Sequence, residues 1–254
     1  MYTRMVKIFP AKQEMTRAAA EHAAESLGAL LKQQNLVRLL AATGASQIEF
    51  LEDLTAKHAI DWARIELFHL DEYVGLGLEH PASFARYIRQ RIIDRTGITH
   101  YHLLDGTLPP REMLTAINRN IAQTRIDLAF VGIGENGHLA FNDPPADFET
   151  EEPYLLVNLD QACREQQVGE GWFASLDEVP RQAISVSVHQ LLKTREILCI
   201  VPDQRKAAAV KACLEGPLSP WAPASALRAH PNTTIFLDDG SASLLSRDAD
   251  NPIS

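Results

Sequence analysis

Residues 126–133 read Ile-Asp-Leu-Ala-Phe-Val-Gly-Ile. An apolar run of this length, closed by Gly132 and Gly134, predicts a strand at the centre of a sheet. Similar runs recur on both sides of it. Residues 36–43 (LVRLLAAT), 65–70 (IELFHL), 196–201 and 233–237 predict further buried strands, and 4–9, 100–104, 154–159 and 184–188 predict shorter ones. Helical spacing fills the intervals. It predicts helices over 12–33, 47–57, 110–124 and 204–215, and one that opens near Pro81. Strands alternating with helices of about a dozen residues specify an α/β protein. The expected architecture is a doubly wound, mostly parallel sheet with helices on both faces, Rossmann-like in plan. No linker or repeat interrupts the pattern, so residues 1–254 read as one domain.

Composition bounds the function. The 24 Lys and Arg against 33 Asp and Glu leave a net charge of −9, which opposes nonspecific binding to nucleic acid. A small anionic substrate responds to the local field and stays allowed. Residues 1–10 lack the apolar core of a signal peptide, and no apolar run reaches the roughly 20 residues of a membrane span. Three cysteines, Cys163, Cys199 and Cys213, form no metal-binding spacing and read as small buried side chains in a reducing compartment. The expectation is a cytoplasmic protein without membrane or nucleic-acid partners.

In a parallel sheet, ligands gather where strands end and loops begin. Three such junctions carry chemistry. Thr43-Gly44-Ala45-Ser46 offers backbone N–H groups and hydroxyls to an anion at a helix start, or a plain N-cap by Ser46. Asp71-Glu72-Tyr73 opens a loop, expected over 71–77, with adjacent carboxylates. One of them, desolvated, becomes a base near neutrality; in an exposed loop neither does. Gly132 to Pro144 places His138 among glycines, with Asn136 before it and Asp143 after it. A histidine held by a carboxylate is an oriented acid–base group.

Together these segments resemble the glucosamine-6-phosphate deaminase/isomerase family, over nearly the whole chain. The resemblance rests on Asp71–Gly75 (DEYVG) with Glu79-His80-Pro81 and Ser83, and on Gly132–Pro144 (GxGxxGHxAFNxP). Asp203–Ala207 (DQRKA) and Ser225–Pro231 add to it. It implies a cofactor-free, metal-free conversion of glucosamine 6-phosphate and water into fructose 6-phosphate and ammonia. By position, Asp71 matches the base that moves a proton between C2 and C1, and His138 matches the group that assists ring opening. Asp143 stands where the family usually has a glutamate orienting that histidine. Thr43, Gly44, Ala45, Ser46 and Lys206 match phosphate-binding positions, and Glu72 and Gly137 lie inside the matched motifs as substrate-side candidates. A homo-oligomer is compatible with the resemblance.

The chain departs from the family pattern in four places. Asn136 replaces an acid, which implies a less cationic His138 and a shifted pH optimum. Asp143 is one methylene shorter than glutamate, so its bond to His138 is expected to need a shifted loop or a water. No arginine stands at Gly171-Trp172-Phe173, and Arg164 is the expected substitute. Residues 147–152 are acidic where some members carry a basic allosteric site, so no activation by an amino-sugar phosphate is expected. His100 and His102, on one strand face, lack further ligands for a metal. Trp62, Trp172 and Trp221 read as packing residues. Two other functions compete. A lactonase acting on a 6-phosphosugar lactone would use His138 and leave Asp71 without a task. A non-catalytic sugar-phosphate sensor would normally carry a DNA-binding extension.

Overall fold

The computed structural model describes residues 5–57 and 59–246; residue 4 of the expected first strand lies outside them. The chain begins with strand β1 (Met5–Phe9), helix α1 (Lys12–Gln33), strand β2 (Val37–Ala41) and helix α2 (Ile48–Thr55). Strand β3 (Ile65–His69) and the short strand β4 (Asp71–Tyr73) follow. Helix α3 (Phe84–Ile88) runs through a π-helical turn into α4 (Asp94–Thr96), then β5 (His100–His102), α5 (Pro110–Ile121) and β6 (Leu128–Val131). The second half comprises β7 (Tyr154–Asn158), α6 (Gln161–Gly169), β8 (Gln182–Val186), α7 (Val188–Leu192), β9 (Glu196–Val201), α8 (Ala207–Glu215) and β10 (Thr233–Asp238).

Seven strands form one sheet in the order β1-β10-β9-β6-β2-β3-β5, with parallel pairing throughout. The expected central strand, β6, lies in the middle of it. Its residues alternate between two cores: Leu128 and Phe130 join α1 and α2 on one face, and Ala129 and Val131 join α5 and α8 on the other. The strand order reverses between β6 and β2, with β3 and β5 added on one side and β9 and β10 on the other, so the sheet has its switch point there. Among the described residues no helix is long and apolar enough to cross a membrane.

The sequence reading needs two corrections. Residues 71–73 are not loop: they form β4. Strands β7 and β8 also do not join the main sheet. They pair antiparallel with each other and with β4 in a separate three-stranded sheet, order β4-β8-β7. Their hydrophobic pattern identifies strands, but it carries no information on which sheet they enter. This small sheet buries Tyr154, Ile184 and Val186 against the main core. Its other side, with α6, encloses a satellite core containing Tyr73, Phe84, Phe141, Cys163 and Phe173.

Arg38 is buried on β2 and ties strand ends to a helix end. Its Nε donates to Glu66 Oε2 at 2.6 Å, and its other nitrogens donate to the carbonyls of Asn120, Ile121 and Thr124 at the exit of α5. Its guanidinium also lies 4.7 Å from the Phe68 ring. Removing it strands a carboxylate and several carbonyls. R38M is expected to lose about 3 kcal/mol of stability or more, read as a lower urea midpoint at unchanged slope.

Candidate active site

Four adjacent strands of the main sheet, β9, β6, β2 and β3, deliver the expected site residues from their carboxyl ends, across the switch point. After β2 the chain turns at Gly44, whose φ of +94° suits glycine, and a short 3-10 turn (Ala45–Gln47) leads into α2. Ser46 does not cap the helix; its hydroxyl accepts from Gln47 Nε2 at 3.1 Å. After β9 comes Lys206, and after β6 the glycine loop. Thr43, Gly44, Ala45, Ser46, Asp71, His138 and Lys206 all line one polar cleft.

Two carboxylates adjacent in sequence meet different fates, because alternation along β4 sends them to opposite sides. Glu72 turns away from the cleft. It accepts from Ser83 Oγ (2.8 Å), Tyr73 N (2.9 Å), Phe84 N (3.2 Å) and Ala85 N (2.8 Å), anchoring the start of α3. Burial raises its pKa to about 7 against the pull of these donors. The expected substrate-side role of Glu72 is therefore corrected: its carboxylate is consumed by a helix N-terminus. Asp71, 5% exposed, has only the Thr43 hydroxyl, donating over a long 3.4 Å. Burial, assisted by the neighbouring Glu72 charge, raises its pKa to about 8.

His138 lies flat against Gly134, where any side chain would enter the imidazole ring: a Cβ there would stand 2.2 Å from Cε1. Its Nδ1 approaches Asp143 Oδ1 directly at 3.2 Å, so the shorter acid needs no mediator. The approach is close but falls short of hydrogen-bond geometry, and among the described residues Nδ1 has no other partner. Asp143 is itself buried, which favours its neutral form. The His138 ring, the Asp160 backbone N–H and the Asn136 amide outweigh that effect and hold its pKa below the usual carboxylate range. Asn136 does more than remove a charge. Its Nδ2 donates to Asp143 Oδ1 and Asp160 Oδ2, both at 3.1 Å, and its Oδ1 accepts from His138 N at 3.0 Å. An acid here would be a third carboxylate with no proton to donate. Asn136 and Asp143 thus stand behind His138, outside the cleft wall.

Two further expectations fail. Gly137 packs on the far side of the loop, its carbonyl accepting from Ala224 N at 3.0 Å. Arg164 does not replace the family arginine: its guanidinium donates to the carbonyls of Leu176 and Val179 and so closes the loop after α6. Charge in a sequence does not say which way a side chain turns. Trp62 is buried as a packing residue, whereas Trp221 is 71% exposed and packs against little. His102 pairs with Glu66 at 2.8 Å, and His100 is exposed.

Sequence reasoning missed one wall of the cleft. Gln166, Gln167 and Glu170, from α6 and its exit, close the cleft opposite the sheet. Their i, i+1, i+4 spacing places them on one helical face, the only signal available. Asp160 was also missed: it caps α6, accepting from Cys163 N at 2.6 Å, and so links the lid helix to the Asn136–Asp143 network.

One group has the makings of a metal site. His138, Asp143 and Cys163 bring ligand atoms within 4.8 Å of one another. Burial and the carboxylates of Asp143 and Asp160 push the Cys163 thiol well up, so it stands here as a protonated thiol beside the pair. A larger groove of about 800 Å³ runs between α5 and β7. It contains none of Asp71, His138 and Lys206, so the chemistry belongs to the narrower cleft.

Asp71 makes stability pH-dependent. Its carboxyl rises from 3.8 to about 8 on folding, so the folded chain holds an extra proton between those values. That contribution is complete below pH 4 and lost as pH approaches 8. D71N lacks it. Chemical unfolding is expected to show D71N gaining on the parent by ~1 kcal/mol per pH unit across this window; parallel stability curves would contradict the burial argument.

A family model described as glucosamine-6-phosphate isomerases/6-phosphogluconolactonase matches residues 10–236. The glucosamine-6-phosphate deaminase of Lactobacillus delbrueckii subsp. bulgaricus is 35% identical over 207 residues, 80% of this chain and 86% of that protein. Among solved structures, a monomeric glucosamine-6-phosphate deaminase aligns with a TM-score of 0.86 at 27% identity, covering 94% of this chain and 99% of that one. The 6-phosphogluconolactonase of Thermotoga maritima aligns with a TM-score of 0.78 at 18% identity, covering 93% and 100%, a likeness of fold alone.

Proposed function

The chain belongs to the glucosamine-6-phosphate isomerase/6-phosphogluconolactonase family, and on that premise we propose that it is an amino-sugar-phosphate deaminase. It converts glucosamine 6-phosphate and water into fructose 6-phosphate and ammonia. The observation that carries the reading is Asp71: a buried carboxyl with a pKa near 8 in the same cleft as an oriented histidine. In a lactone hydrolysis His138 would already activate the water and Asp71 would be left without a task, whereas proton abstraction next to a carbonyl employs both groups.

The residues divide the work in sequence. His138, oriented by Asp143, carries a proton to the ring oxygen and opens the sugar. Asp71, ionised, removes the C2 proton of the open-chain amino-aldose and returns one to C1. The product is a C2 imine, which water hydrolyses with loss of ammonia. The phosphate binds Lys206 and the N–H groups of the Gly44–Ser46 turn at the head of α2. Binding energy from that remote end holds the open chain against Asp71. The three free thiols are buried, which fits a reducing, cytoplasmic setting.

Purified protein with glucosamine 6-phosphate is expected to release ammonia and ketose phosphate at equal rates. D71N is expected to lose at least 10³-fold in kcat, about 4 kcal/mol of transition-state stabilisation. Hydrolysis of 6-phosphogluconolactone without ammonia release would replace this reading with the lactonase one.

A further inference from the structure

The anion end of the cleft carries a carboxylate that the proposed reaction does not use. Lys206 is its buried cation, with a side chain 5% exposed. Its Nζ lies 3.8 Å from Glu170 Oε1 and 3.9 Å from Glu135 Oε1. Glu135 is partly exposed, but Glu170 is 7% exposed and forms part of the cleft wall. Two neighbours fix it there: Gln166 Nε2 donates to Oε1 at 2.7 Å, and Trp172 Nε1 donates to Oε2 at 3.2 Å. The nearest other cation, Arg205, is half-exposed and committed to Asp203 at 3.3 Å and Glu135 at 3.7 Å.

Volume adds an independent constraint. The cleft holds about 70 Å³ of free space, against the roughly 300 Å³ or more of an ordinary small-molecule site. The cleft is open to solvent on one side, so room has to be made chiefly at the Lys206 end, where the phosphate would sit. Three walls are strand ends and turns of the main sheet. The fourth is the Gln166–Glu170 segment. Moving it away from Lys206 leaves a buried ammonium with only the partly exposed Glu135 at 3.9 Å, which is costly unless another anion takes the vacated place.

We propose that Glu170 is a specificity-determining residue: it occupies the anion end of the cleft as an internal counter-ion to Lys206, and a ligand gains entry by exchanging its own phosphate for the Glu170 carboxylate. This deepens the deaminase reading and rests on its assignment of Lys206 to phosphate. A phosphate dianion brings more charge than the carboxylate it replaces and can accept from Lys206 and the Gly44–Ser46 turn together. An unphosphorylated amino sugar brings no negative charge and cannot compensate the opened pair. Discrimination for phosphorylated substrates then comes from the exchange as well as from the attraction of Lys206.

Inorganic phosphate is the probe, with binding read by calorimetry and by tryptophan emission. E170Q removes the competing charge and keeps the shape; it is expected to bind phosphate about tenfold tighter than the parent chain or more. K206A is expected to bind none. In the unmodified protein, phosphate should alter the emission of Trp172, whose indole loses Glu170 as acceptor. Unphosphorylated glucosamine should not, and W172F should abolish the response. Equal phosphate affinity in E170Q and the parent, or no Trp172 response at saturating phosphate, overturns the exchange. Turnover of glucosamine 6-phosphate is followed in parallel. Turnover with equal affinities removes the exchange and leaves the deaminase; no turnover with tighter binding in E170Q removes the deaminase and leaves the exchange.

Discussion

A carboxyl group taken out of water must find donors, find a cation or keep its proton. Asp71 and Glu72 face this choice side by side and resolve it differently. Glu72 finds four donors, three of them at the head of α3. Asp71 finds one hydroxyl at 3.4 Å, and among the described residues no cation pairs with it. Its proton is therefore held to near pH 8, where release and uptake are both accessible at physiological pH. The small antiparallel sheet makes this possible. Pairing Asp71 with Ser185 on β8 fixes the backbone just beyond the main sheet, so that Asp71 faces the cleft and Glu72, the next residue, anchors α3.

From that constraint the rest of the site follows. The switch point between β2 and β6 collects the Gly44–Ser46 turn, Asp71, the His138 loop and Lys206 from four neighbouring strands. Behind the histidine, Asn136 bridges two carboxylates that would otherwise repel, and through Asp160 it joins them to the N-terminus of α6. The helix that closes the cleft is thereby connected to the residues behind His138. Charge is arranged so that Lys206, at one end, faces Glu170 and Glu135, while among the described residues no cation pairs with Asp71.

Much of this was legible in residues alone, for identifiable reasons. The main sheet is written as apolar runs because parallel strands are buried on both faces. The site loops were legible because they leave those strands at their carboxyl ends. The second sheet was not legible: β4 has three residues, and β7 and β8 are separated by α6 and a long loop, so no local pattern announces their pairing. Side-chain direction was equally hidden. Glu72 and Arg164 are the residue types a phosphosugar site calls for, yet each is spent on backbone groups. The α6 wall was missed because Gln161–Gly169 is polar around most of its circumference and shows little amphipathic contrast.

The central claim is that Asp71 is a desolvated carboxyl whose proton is held to near-neutral pH, and it is accessible to direct titration. Protein labelled with ¹³C at aspartate carboxyls, compared with D71N to assign the resonance, should show one signal titrating with a midpoint near 8. A midpoint for that signal near the unperturbed 3.8 would mean that Asp71 is solvated, and would contradict the account of the site built on it.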